Sequence, residues 1–91
     1  MATTAVFDVP GMTAAQYDQV IAELEAAGAG APAGRLYHVA SQKPGGWLVV
    51  DVWESEEALG AFAETLMPLL SKAGVEPPQP AVLRTHNVIG G

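Results

Sequence analysis

Apolar residues recur along this chain with two different periods, and the switches between them mark out its elements. Thr3 to Val9 is β-branched and aromatic in character and is closed by Pro10-Gly11, which reads as a first strand and its terminator. Then Tyr17, Val20, Ile21 and Leu24 fall at i, i+3, i+4 and i+7, so they share one helix stripe while Asp18, Glu23 and Glu25 face water. Ahead of that stripe Thr13 and Gln16 have the spacing of a capping box, and Met12 and Tyr17 occupy the two positions of a hydrophobic staple. Gly28 ends the helix, and the Gly- and Ala-rich stretch 28–34 is a connector.

Arg35 to Ser41 and Gly46 to Glu54 are β-type runs joined by the five-residue loop Gln42 to Gly46, which predicts a hairpin. Ser55 caps a second helix whose first turn carries Glu56 and Glu57, where carboxylates meet the positive end of the helix dipole. Leu59, Phe62, Ala63 and Leu66 form its buried stripe. Pro68 lies inside that pattern and predicts a kink or break before the segment ends near Gly74. After Pro77-Pro78-Gln79-Pro80, a last strand is expected over roughly Ala81 to Ile89.

The order βαββαβ is the split βαβ arrangement. Right-handed crossovers then give an α+β ferredoxin-like fold with an antiparallel sheet of order 4-1-3-2 and both helices on one face. No repeat or internal boundary interrupts residues 1–91, so a single domain is expected. On the third strand Leu48, Val50 and Val52 alternate with Trp47, Val49, Asp51 and Trp53. Assigning the purely aliphatic set to the helix side leaves two tryptophans on the open face, an apolar patch too large for a monomer. Two such faces pressed together make a homodimer, a dimeric α/β barrel with a pocket for a hydrophobic small molecule between its sheets.

Composition narrows the partners. With 10 acids, 4 Lys and Arg and a formal charge of −6, the chain opposes nucleic-acid binding. It has no cysteine, which excludes disulfides, thiolate metal sites and a Cys nucleophile. Its start lacks a basic segment followed by an apolar run, and no apolar run approaches the roughly 20 residues that span a bilayer, so a cytoplasmic protein with no membrane partner is expected.

Trp53-Glu54-Ser55-Glu56-Glu57-Ala58, following Leu48-Val49-Val50-Asp51-Val52, resembles the strand-to-helix signature of the antibiotic biosynthesis monooxygenase-like proteins of the dimeric α/β-barrel superfamily. The resemblance covers the whole chain. It implies a cofactor-independent monooxygenase-like enzyme acting on an aromatic or polyketide-like molecule, with no cofactor; the alternative is a non-catalytic ligand-binding or structural dimer. Members often carry an aromatic residue and, three positions on, a His on the second helix. Leu59 and Phe62 stand there in this chain, so the resemblance transfers no haem-ligating or helix-borne catalytic His.

Placing the polar member of each alternation on the open face gathers Asp8, His38, Asp51, His86 and Arg84 around one cavity. A His beside a carboxylate is oriented and made more basic, which suits a general base for a phenolic or α-carbonyl proton. His38, Asp51 and His86 are therefore the candidate catalytic residues, and Val49, Trp53 and Arg84 the candidate substrate-binding residues; no metal-ligand spacing is present. The pattern leaves the hairpin register open, and with it the choice between His38 and Tyr37 and between His86 and Asn87. His38 is assigned to the open face because no partner for an imidazole is evident beneath the helices.

Overall fold

The computed structural model describes residues 2–90; Met1 and Gly91, the ends of the expected 1–91 unit, lie outside it. Its elements are β1 (Thr3–Pro10), α1 (Ala14–Ala26), β2 (Arg35–Lys43), β3 (Gly46–Trp53), α2 (Glu56–Lys72) and β4 (Ala81–Arg84). The strands form an antiparallel sheet in the order β2-β3-β1-β4, which is the expected 4-1-3-2 order read from its other edge. The fold is therefore ferredoxin-like α+β.

Local signals account for the helix starts. Thr13 accepts from the Gln16 amide at 3.2 Å and the Gln16 side chain accepts from the Thr13 amide at 3.0 Å, closing the capping box. Ser55 Oγ accepts from the Ala58 amide at 3.1 Å. Two side chains then tie the helices together: Gln16 Nε2 donates to the Ala73 carbonyl at 3.2 Å, and Lys72 Nζ lies 2.9 Å from Glu23 Oε1. The hairpin is tighter than expected. Lys43 pairs with Gly46, leaving Pro44-Gly45 as a two-residue turn with Gly45 at φ +75°, a left-handed backbone that glycine adopts without strain. Gly46 itself lies against β1, and a Cβ there would meet the Val9 carbonyl oxygen at 2.6 Å.

α2 continues through Pro68 to Lys72, so the expected break does not occur. Pro68 and Glu64 both lie on the exposed side of α2. The carbonyl that loses its N–H partner thus faces water, and the helix keeps its remaining rungs. The last strand is shorter than expected and stops at Arg84. Beyond it the Thr85 amide bonds the Ala2 carbonyl at 3.2 Å, and residues 86–90 are exposed.

The faces of the sheet are assigned the other way round from the sequence expectation. Thr3, Ala5, Phe7 and Val9 pair with Trp53, Asp51, Val49 and Trp47, and this set lies beneath the helices. Val6, Leu48, Val50 and Val52 occupy the open face, with Val39, Tyr37 and Leu83 more exposed beside them. The reason is volume. Two helices over four strands leave a layer that close packing must fill, and indole rings fill it where a row of valines would leave gaps. Trp53 is wholly buried, with its ring 5.1 Å from that of Phe62 on α2. Around it Leu59 and Leu70 of α2 and Val20 and Leu24 of α1 complete the core.

Trp53→Ala should lower unfolding free energy by about 3–5 kcal/mol, the cost of emptying a large buried aromatic site. Urea denaturation checks it, and a loss below about 1 kcal/mol would mean that the site collapses around the gap.

Candidate functional site

Cross-strand register brings the site together. His38 of β2 stands opposite Asp51 of β3, so both side chains leave the sheet on the helix side. His38 Nδ1 lies 2.6 Å from Asp51 Oδ1, and His38 Nε2 lies 2.8 Å from the hydroxyl of Tyr17 on α1. A carboxylate only accepts, so Nδ1–H is the donor to Asp51. In the neutral ring Nε2 then bears the lone pair and accepts the Tyr17 O–H. The Asp51 side chain is only 4% exposed, whereas that of His38 is 24% exposed, so the relay runs from a buried carboxylate out to a reachable imidazole. The Tyr17 ring is nearly parallel to the His38 ring, 10° between planes at 6.3 Å, and stacks on Trp47 at 5.2 Å.

These groups border a cavity between the sheet and the two helices. Its centre holds about 60 Å³, inside a cleft of about 510 Å³ counted out to its open mouth. Phe7, Val9, Val49, Leu24, Phe62 and Leu66 make its walls apolar, and Tyr17, His38, Asp51 and Arg35 supply its polar groups. Burial pushes the Tyr17 phenol above its ordinary value. The Arg35 guanidinium opposes that shift, and the Asp51 and Asp18 carboxylates add to it.

Arg35 is the site residue that sequence reasoning missed. It is three positions before His38, and regular alternation would send the two to opposite faces. An irregularity between Arg35 and Tyr37 inserts one extra residue, so Arg35 pairs with Trp53 while His38 pairs with Asp51, on the same face. No feature of Arg35-Leu36-Tyr37 announces that bulge. Tyr17 was assigned to the core stripe of α1, which is where it lies; its hydroxyl reaches His38 from there.

The other candidates are placed as follows. His38, Asp51 and Val49 converge on the cavity, but under the helices and not between paired sheets. Trp53 is behind the cavity, buried against Phe62. Arg84 pairs with Thr3 and borders a separate surface depression with Ser55, Glu56 and Glu57. His86 lies beyond the end of β4 and is exposed, because the strand expected to carry it inward stops two residues earlier. Asp8 does face the open side, where its carboxylate meets Lys43 Nζ at 2.8 Å. Among the described residues no group of three or more His, Asp or Glu is disposed to hold a metal ion, and no helix is long and apolar enough to cross a membrane.

No protein-family model and no curated protein matches the sequence. Solved structures do match in fold. The chain is similar to SnoaB, a cofactor-independent oxygenase from Streptomyces nogalater, at 14% identity over 99% of this chain and 97% of that one, with a TM-score of 0.65. It is similar to Rv0793 from Mycobacterium tuberculosis at 12% identity, with a TM-score of 0.73 over 99% of this chain and 100% of that one. A protein from Chloroflexus aurantiacus J-10-fl, named provisionally as an antibiotic biosynthesis monooxygenase, aligns at 20% identity over 99% and 100% of the two chains, with a TM-score of 0.60. The chain thus has the fold of the antibiotic biosynthesis monooxygenase-like structures.

Because the folded-state pKa of Tyr17 is raised, the unfolded chain releases its phenolic proton first. The stabilisation is full below the unfolded value near 10 and is lost as pH rises through the folded value. Stability should therefore fall as pH is raised above about 10, and Tyr17→Phe should flatten that fall. Urea midpoints across this range check it; an equally steep fall in Tyr17→Phe would contradict it.

Proposed function

We propose that this protein is a cofactor-independent monooxygenase-like enzyme acting on a hydrophobic aromatic or polyketide-like molecule, with His38 as its general base. The observation that carries the reading is the relay itself. Asp51 orients the imidazole, and the second ring nitrogen presents a lone pair at the wall of an apolar cavity, hydrogen-bonded to a phenol. The Tyr17 hydroxyl occupies the place that a substrate's acidic hydroxyl would take, so substrate displaces it. The likeness in fold to a cofactor-independent oxygenase supports the same chemistry.

The step begins when His38 Nε2 takes the proton of a phenolic or enolic substrate. The resulting anion is electron-rich enough to reduce dioxygen by one electron, and recombination forms a carbon-bound peroxide. Loss of water from it converts a methylene carbon into a carbonyl: one oxygen atom of O₂ enters the product and the other leaves as water, so the four electrons taken by O₂ come from the substrate. The buried carboxylate steadies the imidazolium until its proton is returned. A dry apolar wall favours this sequence by keeping water from the anion.

Assembly as a homodimer through the open face belongs to this reading, and a chain of 9.4 kDa gains burial by it. Its apolar surface comes from Val6, Leu48, Val50, Val52, Val39 and Leu83 instead of the tryptophans. The central volume of about 60 Å³ favours a second reading, a structural dimer whose interior is filled by its own side chains, since ligand sites usually offer about 300 Å³ or more. Displacement of Tyr17 is what separates the two.

Oxygen uptake should accompany addition of a hydroxylated anthrone without added flavin or metal. His38→Ala should cut turnover about 10²–10⁴-fold with an unchanged far-ultraviolet circular dichroism spectrum. Absence of uptake across a panel of such anthrones would contradict the enzymatic reading. Light scattering should give twice the chain mass of 9.4 kDa at micromolar concentration, and a monomer would remove the dimer.

A further inference from the structure

Arg35 is the cavity group that the proton relay leaves unused. Its Nη2 donates to the Gly30 carbonyl at 3.2 Å, and its guanidinium carbon lies 5.9 Å from the centre of the Phe62 ring. Lys43 and Lys72 each hold a carboxylate, at 2.8 and 2.9 Å. Arg35 has no carboxylate within 4.0 Å among the described residues, although the chain carries 10 acids. A half-buried guanidinium with one backbone acceptor and one ring face keeps most of its five donors available. It lines the same cavity as His38, and its charge acts at the Tyr17 phenol, where it opposes the effect of Asp51.

The placement costs regular structure. The irregularity in β2 interrupts the ladder at one residue, and its consequence is that Arg35 and His38 share the cavity face. Guanidinium recognises planar anions through paired N–H donors. Phe62, bearing the cation on its face, fixes that fork at the cavity wall.

We propose that Arg35 is the anion-recognition residue of this cavity, and that its ligand is a planar aromatic or enolic hydroxy acid, with the hydroxyl at His38 Nε2 and a carboxylate at Arg35. This rests on the reading of Nε2 as the group that meets the ligand's hydroxyl; it does not require turnover. The residue selects the acid over the neutral phenol of the same shape.

The test is binding of phenol, benzoate and the three isomeric hydroxybenzoates, followed by tryptophan fluorescence, since Tyr17 stacks on Trp47. At least one hydroxybenzoate should bind the wild-type protein about tenfold or more tighter than phenol, which is about 1.4 kcal/mol. Arg35→Gln should erase that margin and weaken benzoate and the hydroxybenzoates by more than it changes phenol, and Arg35→Lys should restore part of it. His38→Ala should instead remove the gain of hydroxybenzoate over benzoate. Circular dichroism confirms that each variant is folded. Equal affinity for phenol and every hydroxybenzoate, a margin that survives Arg35→Gln, or no binding of any of these compounds would overturn the proposal. Failure of the oxygenase reading alone looks different: the margin and its dependence on Arg35 persist while no oxygen is consumed.

Discussion

A carboxylate sealed beneath two helices has to be answered by a charge or by strong hydrogen bonds, because an uncompensated buried ion costs several kcal/mol. Asp51 is that carboxylate, and the His38 imidazole at 2.6 Å is the answer. Much follows from this one contact. It selects the register in which His38 faces Asp51, since a slip of one residue would bring the exposed Tyr37 or Val39 side of β2 to the carboxylate. It assigns the proton to Nδ1, and so it turns the Nε2 lone pair toward Tyr17 and the cavity. The same pair thus satisfies a buried carboxylate and, in the proposed function, supplies the base.

The architecture was legible in the sequence because its signals are local. Thr13 and Gln16 cap α1, Ser55 caps α2, Pro10-Gly11 and Pro44-Gly45 bound strands, and the stripes Tyr17-Val20-Ile21-Leu24 and Leu59-Phe62-Leu66 face the core. The parity of β3 was not legible. Both of its alternating sets are apolar enough to be buried, and the polarity of Asp51 argued for the open face. His38 was sent there as well, for want of a partner under the helices. Moving both residues together supplies each with its partner, a solution that no argument about one residue at a time can reach. Arg35 was hidden for another reason: a bulge is a property of two strands, and β2 alone carries no mark of it.

The reversal changes where function resides. An open face bearing tryptophans, His and Asp would need a second subunit to make a pocket. In the structure one chain builds the pocket by itself, between sheet and helices, and the open face carries mainly aliphatic residues beside Tyr37 and the Asp8–Lys43 pair. The proposed dimer contact and the proposed ligand chemistry thereby fall on opposite sides of one sheet. Tyr17, stacked on Trp47, holds the cavity-side nitrogen of His38, so in the proposed function its displacement is what admits a ligand.

The central claim is the orientation of the His38 ring, and imidazole ¹⁵N NMR measures it most directly. Under conditions where the ring is neutral, long-range ¹H–¹⁵N correlations should show His38 protonated at Nδ1, with a strongly deshielded proton shared with Asp51 and an unprotonated Nε2. A ring protonated at Nε2, or one averaging freely between tautomers, would contradict the account.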